Sequence, residues 1–178
     1  MLFFDRSVLL FFALLLLFRP VQAAPPPALG AAAQGVTFTL PDPKLPGKLL
    51  AEVHARSASG NSVETGFLGS LTGVWARLYQ KGIPAATLTA PHAQGSSLKK
   101  TVVVTATGGV VVKSLTQPGT KLLADTVVWY AGLNKIVATG HVFYRDGKTG
   151  ATMTGPTMTA DTRLKSLQIM SGHASALL

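Results

Sequence analysis

The chain has 178 residues, no cysteine and a formal net charge of +9, and 47% of its residues are hydrophobic. The absence of cysteine excludes disulfide scaffolds, cysteine-ligated zinc sites and a lipid anchor attached through cysteine. The basic excess favours anionic partners such as phosphorylated lipids or membrane surfaces, although lysines in turns could serve solubility alone.

Residues 1–23 have the order of a secretory signal peptide. A short segment ending at Arg6 precedes the unbroken apolar run Val8 to Phe18, and the small residues Val21 and Ala23 mark a cut after Ala23. As a helix this run would rise about 16 Å, whereas the hydrocarbon core of a bilayer is about 30 Å thick. We therefore expect a cleaved signal and a periplasmic protein; a retained inner-membrane anchor is the alternative.

Residues 24–35 are rich in Pro, Ala and Gly and carry no charge, which predicts an extended tether. Residues 36–178 are expected to form one β domain, because short runs of Val, Thr, Leu and aromatic residues alternate with Gly, Pro and Asn. The best candidate for a helix, Leu68 to Gln80, is interrupted by two glycines. The sequence therefore predicts an all-β fold.

A repeat of about 32 residues is the strongest internal signal. A hydroxyl residue followed by glycine recurs at spacings of 35, 32 and 32 residues, as Thr72-Gly73, Thr107-Gly108, Thr139-Gly140 and Ser171-Gly172. A period of this length accommodates a hairpin of two strands, with turns predicted at Gly95-Ser96, Asn134 and Asp146-Gly147.

The glycines of the repeat predict bends or bulges inside strands, because β-rich segments flank them on both sides. Ordinary turn residues are the alternative. Bends at the same point of each unit would crease the sheet into a V or a jelly roll.

Two segments of the chain resemble the repeat of the OstA-like domain. They are the strand Leu122 to Tyr130, which begins Leu-Leu-Ala-Asp, and the strand Ile136 to Val142, which contains Ala-Thr-Gly-His-Val. This domain occurs in LptA and LptC, the periplasmic bridge proteins of lipopolysaccharide transport. His141 and His173 stand where the family usually has asparagine.

The resemblance implies an open, twisted β-jelly roll, shaped like a taco and built from repeated hairpin units. It further implies a carrier or bridge that holds the acyl chains of lipopolysaccharide, or a similar anionic lipid, in an apolar groove and passes them towards the outer membrane. The N-terminal segment suits a soluble, LptA-like bridge better than an anchored, LptC-like one. The alternative is an exported structural or interaction β module without a lipid ligand.

Strand alternation gives candidates for the wall of that groove. The register that places Ile136, Ala138, Gly140, Val142 and Tyr144 inward leaves the residues between them outward, and by analogy Gly108 also faces inward. A filled core without ligand is the alternative. The predicted groove residues are Ala106, Val110, Val112, Ile136, Ala138, Val142 and Tyr144.

Partners are expected at the edges of the open sheet. Unpaired strands at Val36 to Leu40 and Leu167 to Ala174 could join other OstA-like domain proteins by strand addition. Export makes nucleic acid an unsuitable partner.

We expect no enzymatic activity, no cofactor and no metal. The four histidines, His54, His92, His141 and His173, lack the spacing of metal ligands, and the chain contains no Gly-x-Ser-x-Gly motif. An envelope hydrolase or a sugar-binding β domain is therefore the least favoured alternative.

Overall fold

The structure, a computed structural model, describes residues 33–63, 66–98 and 101–170. The predicted signal peptide, most of the predicted tether, the fourth copy of the repeat phrase and His173 lie outside the described residues. The first strand begins at Ala33, three residues before the predicted start of the β domain.

Nine antiparallel strands form one open sheet in which every strand pairs with its sequence neighbours, so the spatial order is the chain order. This pattern confirms the predicted all-β fold and its assembly from consecutive hairpins. A single-turn 3-10 helix, Ala131–Leu133, joins two of the strands. The strands are β1 (Ala33–Pro41), β2 (Leu49–Val63), β3 (Gly66–Gln80), β4 (Ile83–Leu98), β5 (Thr101–Ser114), β6 (Lys121–Tyr130), β7 (Lys135–Arg145), β8 (Thr152–Asp161) and β9 (Leu167–Met170).

The glycines of the repeat lie inside strands and not in turns. Gly73, Gly108 and Gly140 have φ angles of 58°, 90° and 76°, which side chains of L-residues rarely adopt. The pairing register shifts beside Gly108 and Gly140, as expected for β-bulges. These three residues form a glycine line across the middle of the sheet, and they confirm the predicted bends.

Each member of the glycine line lies against a side chain of the preceding strand. A Cβ atom added at these positions would meet, in order, Arg56, Pro91 and Asp125. The missing side chains therefore leave room for their neighbours where the strands bend.

One face of the sheet forms the core. Alternate residues of the long strands are buried there, and their neighbours are half-buried or exposed. Phe38 of β1 and Trp129 of β6 line the same cavity. Because four strands separate β1 from β6 in the sheet, the sheet must fold back over its own inner face.

The turn between β8 and β9 closes the C-terminal half of this fold. Leu164 of the turn is fully buried with a φ of 59°, and its carbonyl accepts a hydrogen bond from the Tyr144 hydroxyl. The carbonyl of Arg163 accepts a 2.7 Å hydrogen bond from Ser114, and Thr162 accepts one from the indole of Trp129. We call residues 162–166 the closing turn.

Two details of the sequence prediction were wrong. Gly95 and Ser96 lie inside β4, where Gly95 pairs with Val104, so the hairpin turn comes later in the chain. Gly108 and Gly140 do not face inward, because their positive φ angles direct a Cβ atom towards the exposed residues Pro91 and Asp125, although the residues two positions away on either side are buried. The predicted turns at Asn134 and at Asp146-Gly147 do lie between strands.

Candidate functional site: an apolar trough

The inner face of the folded sheet is an apolar trough with a cavity of about 50 Å³ in its N-terminal half. Only one residue of its lining, Ser96, has a polar side chain. The lining residues are Phe38, Leu40, Ala51, Val53, Gly69, Leu71, Val74, Ala76, Leu78, Leu88, Gly95, Ser96, Val102, Val104 and Trp129.

Strand alternation explains this lining. In β3 the inward positions hold Leu71, Val74, Ala76 and Leu78, with the glycine line crossing between the first two. Small residues at the paired positions Gly69 and Gly95 leave space that larger side chains would fill. The cavity therefore exists because glycines lie among the larger aliphatic side chains of the inner face and leave space between them.

The seven predicted groove residues are all buried on the inner face, but none of them lines the cavity. They occupy β5 and β7, where the interior is packed and where Leu164 of the closing turn is buried. Their contact with lipid stays a prediction.

The predicted groove residues do not include the residues of β1 to β4 that line the cavity. The alternation of Leu71 to Leu78 was the available signal, but the glycines at positions 69 and 73 obscured it. The cavity also depends on a contact across the fold, from β1 to β6, which no local pattern records.

The cavity reaches the margin of the sheet at β1. Phe38 and Leu40 are half-buried, although their side chains face inward. Among the described strands, β1 has one hydrogen-bonded neighbour, β2. Movement of β1 would therefore break fewer sheet hydrogen bonds than movement of the other described strands that line the cavity, each of which pairs on both sides.

Shifted pKa values occur at Tyr144 on the inner face and at Asp146 in the turn that follows β7. Burial raises the pKa of the Tyr144 phenol, and the carboxylates of Asp146 and Asp161 raise it further. The backbone N–H groups of Thr149 and Lys148 lower the pKa of Asp146, whose Oδ1 accepts hydrogen bonds from both. Asp146 thereby stabilises the turn between β7 and β8.

The described histidines lie on the outer face. His54 contacts Thr37 and Glu52, whereas His141 lies 2.7 Å from the carboxylate of Asp125. Within the ranges that the structure covers, no three His, Asp or Glu side chains are grouped so that they could hold a metal ion. The same ranges contain no helix with the length and apolar character needed to cross a bilayer.

No family model and no curated protein sequence matches the chain. Among solved structures, the chain is similar to LptH from Pseudomonas aeruginosa, described as the LptA homologous periplasmic component of the conserved lipopolysaccharide transport device. The TM-score is 0.54 at 20% sequence identity, and the match covers 75% of this chain and 94% of LptH. The chain therefore has an LptA-like β-jelly-roll fold, which confirms the fold expected from the OstA-like resemblance.

Proposed function

We propose that the chain is a periplasmic carrier or bridge for lipopolysaccharide or a similar anionic lipid. Its apolar trough would shield acyl chains while the lipid moves towards the outer membrane. The observation that carries the proposal is the cavity on the inner face of the open sheet, whose lining is apolar apart from Ser96 and which reaches the sheet edge at β1. The shared fold with LptH supports the same role.

The energetics favour an apolar host. Each methylene removed from water contributes about 0.8 kcal/mol, so an acyl chain gains several kcal/mol in an apolar environment. The trough offers almost no polar competitor, because Ser96 is the one polar side chain of the lining. Binding of this kind needs neither a cofactor nor a catalytic group.

The cavity is too small for an acyl chain as it stands. Its volume is about 50 Å³, whereas an apolar cavity that is known to bind benzene, a much smaller molecule than an acyl chain, has a volume of roughly 150 Å³. Loading therefore requires the walls of the trough to part. We propose that they part at β1, where Phe38 and Leu40 form a wall that pairs with a single strand of the described sheet.

The two edge strands complete the proposal. β1 and β9 each have one hydrogen-bonded neighbour in the described sheet, so each offers a free edge for strand addition. We propose other OstA-like domains as the partners at these edges. In this role the chain would act as a soluble, LptA-like bridge.

A cavity-filling substitution tests the trough. Gly95 lines the cavity, and a Cβ atom added there meets no atom within 4 Å. Gly95→Val should preserve the fold and weaken binding of a fluorescent acyl probe about tenfold or more, because two excluded methylenes represent about 1.6 kcal/mol. Gly132→Val is the matched control, because Gly132 is exposed and also has open space.

The probe would be displaced by lipopolysaccharide if both occupy the trough. Saturable binding by the wild type and by Gly132→Val, with loss in Gly95→Val, supports the proposal. A wild-type protein that binds neither probe nor lipopolysaccharide contradicts it and favours a structural β module.

A further inference from the structure

A row of directly opposed residues crosses the outer face of the sheet close to the turns that follow β1, β3, β5 and β7. Neighbouring strands present these residues side by side, with Cβ atoms about 5 Å apart. Their neighbours along each long strand, such as Val112 and Tyr144, are buried, so the row itself faces outward. From β1 to β8 the row is Thr39, Glu52, Arg77, Thr87, Lys113, Lys121, Arg145 and Thr152.

The two halves of this row differ in how their charges are balanced. In the N-terminal half, Arg77 lies 3.6 Å from Glu52 and over the ring of Trp75. In the C-terminal half, Lys113, Lys121 and Arg145 are direct neighbours on β5, β6 and β7. None of these three forms an ion pair with any residue in the described ranges. We call them the basic row.

The basic row costs stability within the protein. Like charges placed directly opposite each other in a sheet repel, and here two such pairs are adjacent. In the N-terminal half of the row, Glu52 lies beside Arg77, which shows that a carboxylate fits at an equivalent position. An anionic partner would remove the repulsion in the basic row.

An apolar row runs beside the basic row on the same face. Two residues away from the basic row on β5, β6 and β7, towards the middle of the sheet, the outward positions hold Val111, Leu123 and Phe143, which are also direct neighbours and are half-buried. Beyond the basic row, at the start of the following turn, Leu115 is 46% exposed. Cations and apolar side chains therefore alternate over a continuous strip.

We propose that the basic row and the apolar row together bind the surface of an anionic phospholipid bilayer. At that surface phosphate groups lie directly beside hydrocarbon, which matches three cations flanked by apolar side chains. An acidic protein would satisfy the charges but would leave the apolar row without a partner. The proposal concerns the outer face of the sheet and does not depend on acyl-chain binding in the trough.

The test compares vesicles of phosphatidylcholine alone with vesicles that also contain phosphatidylglycerol. Protein expressed from the full sequence, and purified as the cell processes it, should co-sediment with the anionic vesicles only. The variant Lys113→Gln/Lys121→Gln/Arg145→Gln should bind them roughly a hundredfold more weakly, because each cation near an anionic membrane contributes about a factor of five.

The control variant removes the same number of charges elsewhere. Arg56→Gln/Lys135→Gln/Lys165→Gln should retain binding within a few-fold, since these side chains lie outside the basic row. Thermal unfolding of both variants checks their folding, and the decline of wild-type binding with added salt gives a measurement that needs no variant.

Several outcomes would overturn the proposal. They are equal binding to neutral vesicles, absence of binding to anionic ones, and equal losses in the two triple variants. If the protein is retained on immobilised polyglutamate but does not bind anionic vesicles, the partner of the basic row is an acidic protein and the membrane proposal is wrong. Intact acyl-probe binding in the basic-row variant would show that the trough is unaffected, so the two proposals can fail separately.

Discussion

Phe38 and Trp129 line the same apolar cavity although four strands separate their own strands in the sheet. In the part of the sheet that the structure describes, Phe38 belongs to the edge strand β1, which pairs with β2 alone, whereas Trp129 belongs to the central strand β6 and donates its indole N–H to Thr162. The wall that carries Phe38 is thus held by one strand of the described sheet, whereas the wall that carries Trp129 is held by two strands and by the hydrogen bond to Thr162. A ligand that enters the trough is expected to move the wall that carries Phe38.

The bend in β7 depends on the missing side chain of Gly140. Gly140→Ala places a Cβ atom against the carboxylate of Asp125 at a φ of 76°. The left-handed backbone alone costs an L-residue about 1–2 kcal/mol, so the free energy of unfolding should fall by at least about that amount. Urea denaturation measures the loss. Gly132→Ala, at an exposed position with open space, should change stability by less than about 0.5 kcal/mol, and an equal loss in both would contradict the account.

His141 has a φ of 44°, a conformation in which Asn, Asp and His are enriched and β-branched residues are outliers. We expect His141→Asn to change the free energy of unfolding by less than about 0.5 kcal/mol, whereas His141→Val should lose about 1–2 kcal/mol. Both variants remove the imidazole contact with Asp125, so their difference measures the backbone preference. Equal midpoints in urea for the two variants would show that backbone strain is not the cause.

The closing turn is expected to depend on Leu164. Leu164→Ala removes a fully buried side chain and should lower the free energy of unfolding by about 2–5 kcal/mol. Leu133→Ala removes the same atoms from a side chain that is 72% exposed and should have an effect below about 0.5 kcal/mol. If Leu164→Ala also binds more acyl probe than the wild type, the C-terminal half of the trough has become accessible.

Tyr144 should make the protein sensitive to alkaline pH. Its pKa is raised in the folded state, mainly by burial, above the value of about 10 in the unfolded chain. The folded state therefore keeps a proton that the unfolded state loses, and stability falls as the pH rises from about 10 through the folded-state pKa. Tyr144→Phe should show a shallower decline in the free energy of unfolding above that pH. Tyr79 and Tyr130 remain in both proteins, so parallel pH curves would contradict this assignment.

Local composition was sufficient to predict the strands and most of the inward register. β-branched and aromatic runs gave β5, β6 and β7, and the alternation around Ile136 and Val142 gave their buried face. The recurring Thr-Gly pair gave the glycine line. The strands, their buried face and the glycine line depend on residues that are close together in the sequence, so one sequence is enough to predict them.

The site was predicted less well because it depends on contacts between distant strands. Gly95 and Ser96 have the composition of a turn, yet β3 and β5 pair with β4 beyond them. The predicted groove residues face inward as expected, but Leu164, from a turn that no pattern singled out, is buried beside them. An inward side chain lines a cavity only where the side chains of the opposite wall leave space in front of it, and the residues of that wall are distant in the sequence.

The unlike edges of the sheet have a consequence for assembly. Strand β1 is nine residues long and β9 is described over four, and they lie at opposite ends of the strand order. A junction that joins β1 of one copy to β9 of the next is heterologous, and it leaves a free β1 and a free β9 at its ends. Repetition of that proposed junction would give a filament with a fixed polarity instead of a closed, two-fold symmetric dimer. Its length is then set by concentration and by whichever partner caps an end.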